Sequence, residues 1–263
     1  MTSAEHVGLQ DRQQAAPGDA SRVTIGPEPE TPARRAPLLA VCGLCDGAGS
    51  GTVAYLVALY AASGEHGHVL VGDTGGPGGE IAAYAGVEAP RSLLELAEHV
   101  ATGLPAGQPV ATTRDGLRVL ATGSRFTTGC AREEVGVLLG QARERYALTV
   151  VDCGTLAREA DQVVLARASH VAWVLAATAG GVRRAQLVLD AVDPYLGANE
   201  LLVARHDERE RKPPLRQLKR LAQRRRATLI LFPTIPDLAT GNTREALDTA
   251  QVSLQAIQGA LGR

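Results

Sequence analysis

Lysine is nearly absent from this chain: its 27 basic residues include only Lys212 and Lys219 as lysines. No motif before residue 212 can therefore use a lysine ammonium. Aromatic residues make up only 3% of the 263 residues, so the core must be built from Ala, Val and Leu. No apolar run approaches the roughly 18 residues of a membrane span. The first thirty-odd residues are polar and hold no apolar leader segment. These absences lead us to expect a cytoplasmic chain whose Cys42, Cys45, Cys130 and Cys153 are reduced thiols. A net charge of -1 excludes a global attraction to nucleic acid or lipid, so any such binding must be local.

What is present is enough for one α/β domain, with 45% hydrophobic and 21% charged residues. Residues 1–36, including GPEPETPARRAP, are polar and Pro-rich and cannot offset the entropy of ordering, so a disordered tail is expected there. The globular domain is expected over 37–263. Short continuous apolar runs predict strands at Leu38–Cys42, His68–Gly72, Leu117–Ala121, Leu148–Asp152, Val171–Ala176, Glu200–Ala204 and Thr228–Phe232. Helical patterns fall between or after them, at Gly51–Ala62, Ser92–Val100, Arg132–Arg145, Gln162–Ala168, Gly181–Asp193, Leu215–Arg225 and Asn242–Leu261. Ser92 followed by Glu95 is a capping-box spacing. Apolar runs without alternation mean strands buried on both faces, and their alternation with helices means a parallel sheet. The expected fold is α/β, a doubly wound, mostly parallel sheet of about seven strands, with its functional edge at the strand C-termini. No internal repeat is visible.

The segment LLAVCGLCDGAGSGTVAYLVALYAA (38–62) reads as strand, Gly-rich loop and helix. Such a loop presents backbone N–H groups, and the helix adds the positive end of its dipole; together they favour a phosphate. A working loop of this kind reads G-x-x-x-x-G-K-[ST], with the lysine on the phosphates and the hydroxyl on magnesium.

The chain resembles the MinD/ParA superfamily of P-loop ATPases, whose loop reads K-G-G-V-G-K-T-T. Laid on that pattern, Gly47, Gly49 and Thr52 match. The leading signature lysine falls on Cys45, the phosphate-gripping lysine on Ser50, and the magnesium hydroxyl on Gly51 with Thr52 beside it. VLVGDTGG (69–76) resembles the strand that ends in two acids, with Asp73 in the first place and Gly75 in the second. LTVVDCG (148–154) resembles Walker B, with Asp152 as its acid. LILFPTIPDL (229–238) resembles the late strand and turn. In LLVAR (201–205), Ala204 stands where the superfamily often has an adenine-contacting Asn. Within the superfamily, GGPGGEIAAYAGV (75–87) followed by SLLELAEHV resembles the CpaE/TadZ pilus-assembly branch and its septum-site-determining relatives.

The resemblance implies ATP or ADP with magnesium at Gly47, Gly49, Ser50, Gly51 and Thr52, with Asp152 and Thr52 on the metal and Asp73 positioning water. The residues themselves argue against turnover. Without a lysine the phosphate charges are poorly compensated, and positioning by charge is most of phosphoryl transfer. Asp46 adds a negative charge to the loop. The expectation is weak or absent nucleotide binding and no significant ATPase activity, in a protein that positions or regulates a pilus, secretion or cell-division assembly. Because the signature lysine crosses the dimer interface in the superfamily, any homodimer here is expected to be independent of nucleotide. Otherwise Asp73 and Asp152 are turn or helix caps.

The alternative is an active ParA-like ATPase in DNA or plasmid partition. It rests on the basic stretch 205–226, where the cations from Arg209 to Arg226 outnumber Asp207, Glu208 and Glu210. Set against it is a solvated helix whose Leu215, Leu218 and Leu221 face the sheet. Cys42 and Cys45 form C-x-x-C with Cys153 expected nearby, but no second pair appears, and a buried small apolar role suits Cys42 better than metal or redox chemistry. The closing helix lacks the basic polar face and aromatic apolar face of a membrane anchor, so its Ala246, Leu247, Ala250, Leu254, Ile257 and Leu261 are expected in the core. Trp173 is expected there too.

Overall fold

The computed structural model of the chain describes residues 35–64, 68–74, 80–87, 91–103, 110–121, 132–192, 198–206, 212–236, 238 and 242–262. The expected tail therefore lies almost wholly outside the described residues, as do Gly75, Cys130, Arg209 and Arg211. Along the chain run β1 (Leu38–Gly43), α1 (Ser50–Ala62), β2 (Val69–Asp73), α2 (Ile81–Ala85), α3 (Leu93–Ala101), β3 (Ala111–Thr112), β4 (Arg118–Leu120) and α4 (Arg132–Arg145). Then follow β5 (Leu148–Asp152), α5 (Glu159–Arg167), β6 (His170–Ala176), α6 (Ala179–Ala191), β7 (Asn199–His206), α7 (Leu215–Arg225), β8 (Thr228–Pro233) and α8 (Thr243–Leu261).

The strands form one sheet in the order β3-β4-β2-β5-β1-β6-β7-β8. All neighbours are parallel except β3 and β4. Successive side chains of a strand point to opposite faces, and here both faces are covered. Leu38, Ala40 and Cys42 of β1 pack on one side with α3, α4, α5, α6 and α7. Leu39 and Val41 pack on the other with α1, α8 and Ile81 of α2. That double burial is why the strands read as unbroken apolar runs. Helix α1 is apolar nearly all round and is buried from Thr52 to Leu59. Trp173 is fully buried, as expected.

Local signals explain several boundaries. Ser92 caps α3, accepting from Glu95 N at 3.1 Å while Glu95 Oε2 accepts from Ser92 N at 2.8 Å. Asn242 caps α8 by accepting from Glu245 N, and Ala250, Leu254 and Ile257 of that helix are buried. Three readings need correction. The sheet has eight strands, not about seven, because the two-residue β3 folds back on β4. A hairpin with Gly116 at φ 80° joins them, and β3 is too short for any hydrophobic pattern; the Asp115–Gly116 pair was its only trace. Helix α2, with five residues, lies where no helical pattern was expected. Leu215 is the first residue of α7 and remains 42% exposed, while Leu218 and Leu221 face the sheet.

Candidate functional site

The loop after β1 sits where three strands deliver their C-terminal ends. Gly43 N donates to Gly154 O at 2.7 Å, anchoring the loop to the segment after β5. Leu44 N donates to Val174 O at 2.8 Å, anchoring it to β6. Gly47 (φ 70°) and Gly49 (φ 84°) take the left-handed conformation that non-glycine residues resist. Gly49 is the N-cap of α1, and no side chain caps that helix. Its first turn carries no acidic residue. The helix thus opens with free donors and the positive end of its dipole. Asp46 is exposed at the loop's outer turn, where water screens its charge.

The two predicted acids come together. Asp73 and Asp152 are register partners on β2 and β5, and Asp73 is buried. Asp152 Oδ1 accepts from Gly154 N at 3.0 Å, and the nearby Ser50 hydroxyl acts to lower its pKa. A Cβ on Gly51 would stand 3.2 Å from Asp152 Oδ2. The loop and the β5 acid therefore meet as the resemblance implies, but the hydroxyl facing Asp152 is that of Ser50. Thr52 Oγ1 instead lies 3.4 Å from Tyr84 Oη. Tyr84 in turn donates to Glu80 Oε2. Burial and that carboxylate push the Tyr84 phenol up to about 12.

Burial raises the Asp152 pKa, against the lowering effects of Gly154 and Ser50. Burial also raises Asp161, which accepts from Arg158 N at 2.8 Å. A carboxyl raised in the folded state opposes folding once it charges. That cost is absent below the ordinary carboxylate range and complete above the folded value. We expect Asp152→Asn, which can still accept from Gly154 N, to raise the melting temperature at pH 7. The gain should shrink as the pH is lowered to 4. A variant less stable than wild type at pH 7 would show that the charged carboxylate is structural.

One residue of this site escaped the sequence reading. Arg205, at the C-terminal end of β7, reaches across β6 to the loop. Its Nη1 donates to Ala48 O at 2.9 Å and lies 3.4 Å from Gly47 O. A Cβ on Gly49 would lie 1.9 Å from that Nη1, so only glycine leaves room for the guanidinium. Ala204, the neighbour that the resemblance singled out, is fully buried in the core. The available signal was a cation at the C-terminal end of a strand, the edge where such sheets bind ligands.

The remaining candidates resolve simply. Cys42 and Cys153 are buried neighbours. A hydrogen bond with Cys42, followed by burial, pushes the Cys153 thiol well up. Among the described residues, no group of His, Cys, Asp and Glu could hold a metal. In α7, Arg225 forms a bidentate pair with Glu200 at 2.7 and 2.9 Å, whereas Arg216, Lys219 and Arg220 are exposed. No described helix is long and apolar enough to cross a membrane.

No protein-family model and no curated protein sequence matches the chain. Solved structures do match. A ParA family ATPase from Chlorobium tepidum superposes with a TM-score of 0.63 at 17% identity, over 85% of this chain and 93% of that one. MinD of the MinC:MinD cell division complex of Aquifex aeolicus gives 0.65 at 15% identity, over 87% and 96%. A putative plasmid partition protein from Borrelia burgdorferi, bound to AMPPNP, gives 0.61 at 14% identity, over 86% and 97%. The chain has the MinD/ParA P-loop fold. Here the β1 loop, the β5 acid and the β2 acid lie along one edge of the sheet.

Proposed function

We propose that the chain is a MinD/ParA-like protein that binds adenine nucleotide weakly, does not turn it over, and positions or regulates a pilus, secretion or cell-division assembly. The observation that carries this reading is Ser50, in the place of the phosphate-gripping lysine, on the first turn of α1 that lies against Asp152. The left-handed Gly47 and Gly49 keep a backbone cradle suited to a polyphosphate. The residues do not fit magnesium as well. Gly51 has no hydroxyl, Ser50 lies near Asp152, and Thr52 lies against Tyr84. No step is therefore derived through the metal. A phosphate held by backbone donors without a lysine and a metal gains ground-state binding and little stabilisation of the transferring phosphoryl group.

Steady-state phosphate release with ATP and magnesium tests this reading. The expected result is no release above a protein-free control and no change in Asp152→Ala. Turnover that disappears in Asp152→Ala would overturn it. Light scattering with and without ATP adds a second check, with the same mass expected in both. The pilus-assembly assignment rests on the resemblance of residues 75–87 and 92–100 to the CpaE/TadZ branch. The second reading, an active ATPase in DNA or plasmid partition, is favoured by the exposed Arg216, Lys219 and Arg220 on α7. Salt-dependent DNA binding lost on neutralising those three, together with turnover, would support it.

A further inference from the structure

We propose that Arg205 supplies from β7 the positive charge that a P-loop lysine supplies from within the loop, and that it binds the phosphate groups of a nucleoside di- or triphosphate. This rests on reading the Gly43–Thr52 loop as a phosphate cradle.

The first argument is the sign of the charge. Gly49 caps the N-terminus of α1, the positive end of that helix dipole. The Arg205 guanidinium lies against the same glycine, at the 1.9 Å that a Cβ would find. Two positive elements placed together repel, unless an anion lies where both can reach it. The described carboxylate at this helix end is that of Asp152, 3.2 Å from where a Cβ on Gly51 would stand, and it does not pair with Arg205. No described carboxylate forms an ion pair with Arg205, and the first turn of α1 has no acid. Glu80 contributes to the field at Arg205, but its carboxylate holds the Tyr84 hydroxyl.

The second argument is hydrogen-bond accounting. The acceptors of Arg205 are the neutral carbonyls of Ala48 and Gly47, and both bond to Nη1. Nε is buried and has no partner among the described residues. A guanidinium presents five donors in a planar fork suited to phosphate oxygens. An arginine whose only task was to clamp the loop would be expected to spend its buried donors on the loop. The carbonyl bonds instead hold the charge at the rim of the cradle and leave the rest of the fork for a ligand. Ala177 N donating to Arg205 O at 2.7 Å fixes the arginine's backbone in register with β6, so the charge is delivered from a rigid strand end.

Isothermal titration of the full chain with ATP, ADP and tripolyphosphate tests the assignment, using wild type, Arg205→Gln, Arg205→Ala and Arg205→Lys. Glutamine places its amide nitrogen near the position of Nε, which reaches neither carbonyl, so it removes the charge and the clamp together, and rescue by lysine separates the two. The expected result is binding weakened about ten- to a hundredfold in Arg205→Gln and Arg205→Ala, the scale of a lost charge-assisted hydrogen bond. Arg205→Lys should restore part of it. Tripolyphosphate should show the same loss. Equal or tighter nucleotide binding by Arg205→Gln would overturn the proposal and leave the cradle standing, with Arg205 as its clamp. No binding of any of the three ligands by wild type, at millimolar concentration, would overturn both.

Discussion

Arg225→Ala is expected to lower the free energy of unfolding by about 3–5 kcal/mol, the cost of breaking a buried ion pair by removing one partner. Arg225 and Glu200 are 7% and 5% exposed, and the pair is bidentate. Arg225 Nη1 also donates to Leu189 O at 3.2 Å and to Val192 O at 2.7 Å. Truncation therefore removes the bidentate partner of Glu200 and the donor to two carbonyls at the end of α6 together. Urea denaturation should show a lower midpoint with little change in slope. Replacing both members with apolar residues should recover part of the loss, since the charges are then removed as a pair. The exposed cations Arg216, Lys219 and Arg220 should each cost no more than about 0.5 kcal/mol on truncation. Arg224, in an exposed pair with Asp190 at 3.9 Å, belongs with them. A loss below 1 kcal/mol for Arg225→Ala would mean that water reaches Glu200. The result bears on function because a charge-removal scan of α7 that included Arg225 would abolish any DNA binding by unfolding the protein.

The basic stretch shows where sequence reading stops. Composition counts Arg225 with the other cations of 205–226, yet its charge is spent on Glu200, a residue 25 positions away. A single helix face explains the difference. Leu218, Leu221 and Ala222 turn inward, and Arg225, one turn further on, follows them. Helices with clear periodicity were legible to the residue, as in Arg132–Arg145 and Leu215–Arg225. So were the buried strands, because double burial writes itself into the sequence as unbroken apolar runs. Short elements such as β3 were not, since two residues cannot carry a period.

The site was legible in the parts that lie along one segment. Gly47, Gly49 and Ser50 share a loop, and Asp152 closes a recognisable strand. Arg205 was not legible, for a topological reason. It lies 157 positions from Ala48 in the chain but only two strands from β1 in the sheet, and that adjacency exists only once the order β1-β6-β7 is known. Arginine can reach from a neighbouring strand end because its fork binds phosphate without needing the lysine's position. The loop holds no lysine, and the cation beside it is Arg205.

Gly181→Ala and Gly180→Ala are expected to change stability in opposite directions, although the two glycines are adjacent in the first turn of α6. A Cβ on Gly181 would lie 2.2 Å from the carbonyl oxygen of Ala176 and 3.1 Å from its carbon. Both are backbone atoms at the end of β6, so the clash can be relieved only by moving the helix off the strand. The Thr178 hydroxyl, which accepts from Gly181 N at 3.0 Å, resists that movement. We expect a loss of about 1–3 kcal/mol, the range for overpacking at a closed contact. Gly180 is exposed, and a Cβ there would meet only Thr178 Oγ1, at 4.0 Å. Alanine at that position should stabilise by about 0.5–1 kcal/mol, through a less flexible unfolded chain and better helix propensity. The effect of Gly181→Ala should also reach the site. Ala177, next to the clash, donates to Arg205 O, so a displaced strand end moves the backbone that delivers the guanidinium to Ala48. Gly181→Ala should therefore weaken tripolyphosphate binding while Gly180→Ala leaves it unchanged. Equal stability of the two variants would mean that α6 can shift freely on β6, and would also remove the reason to expect a rigidly delivered Arg205.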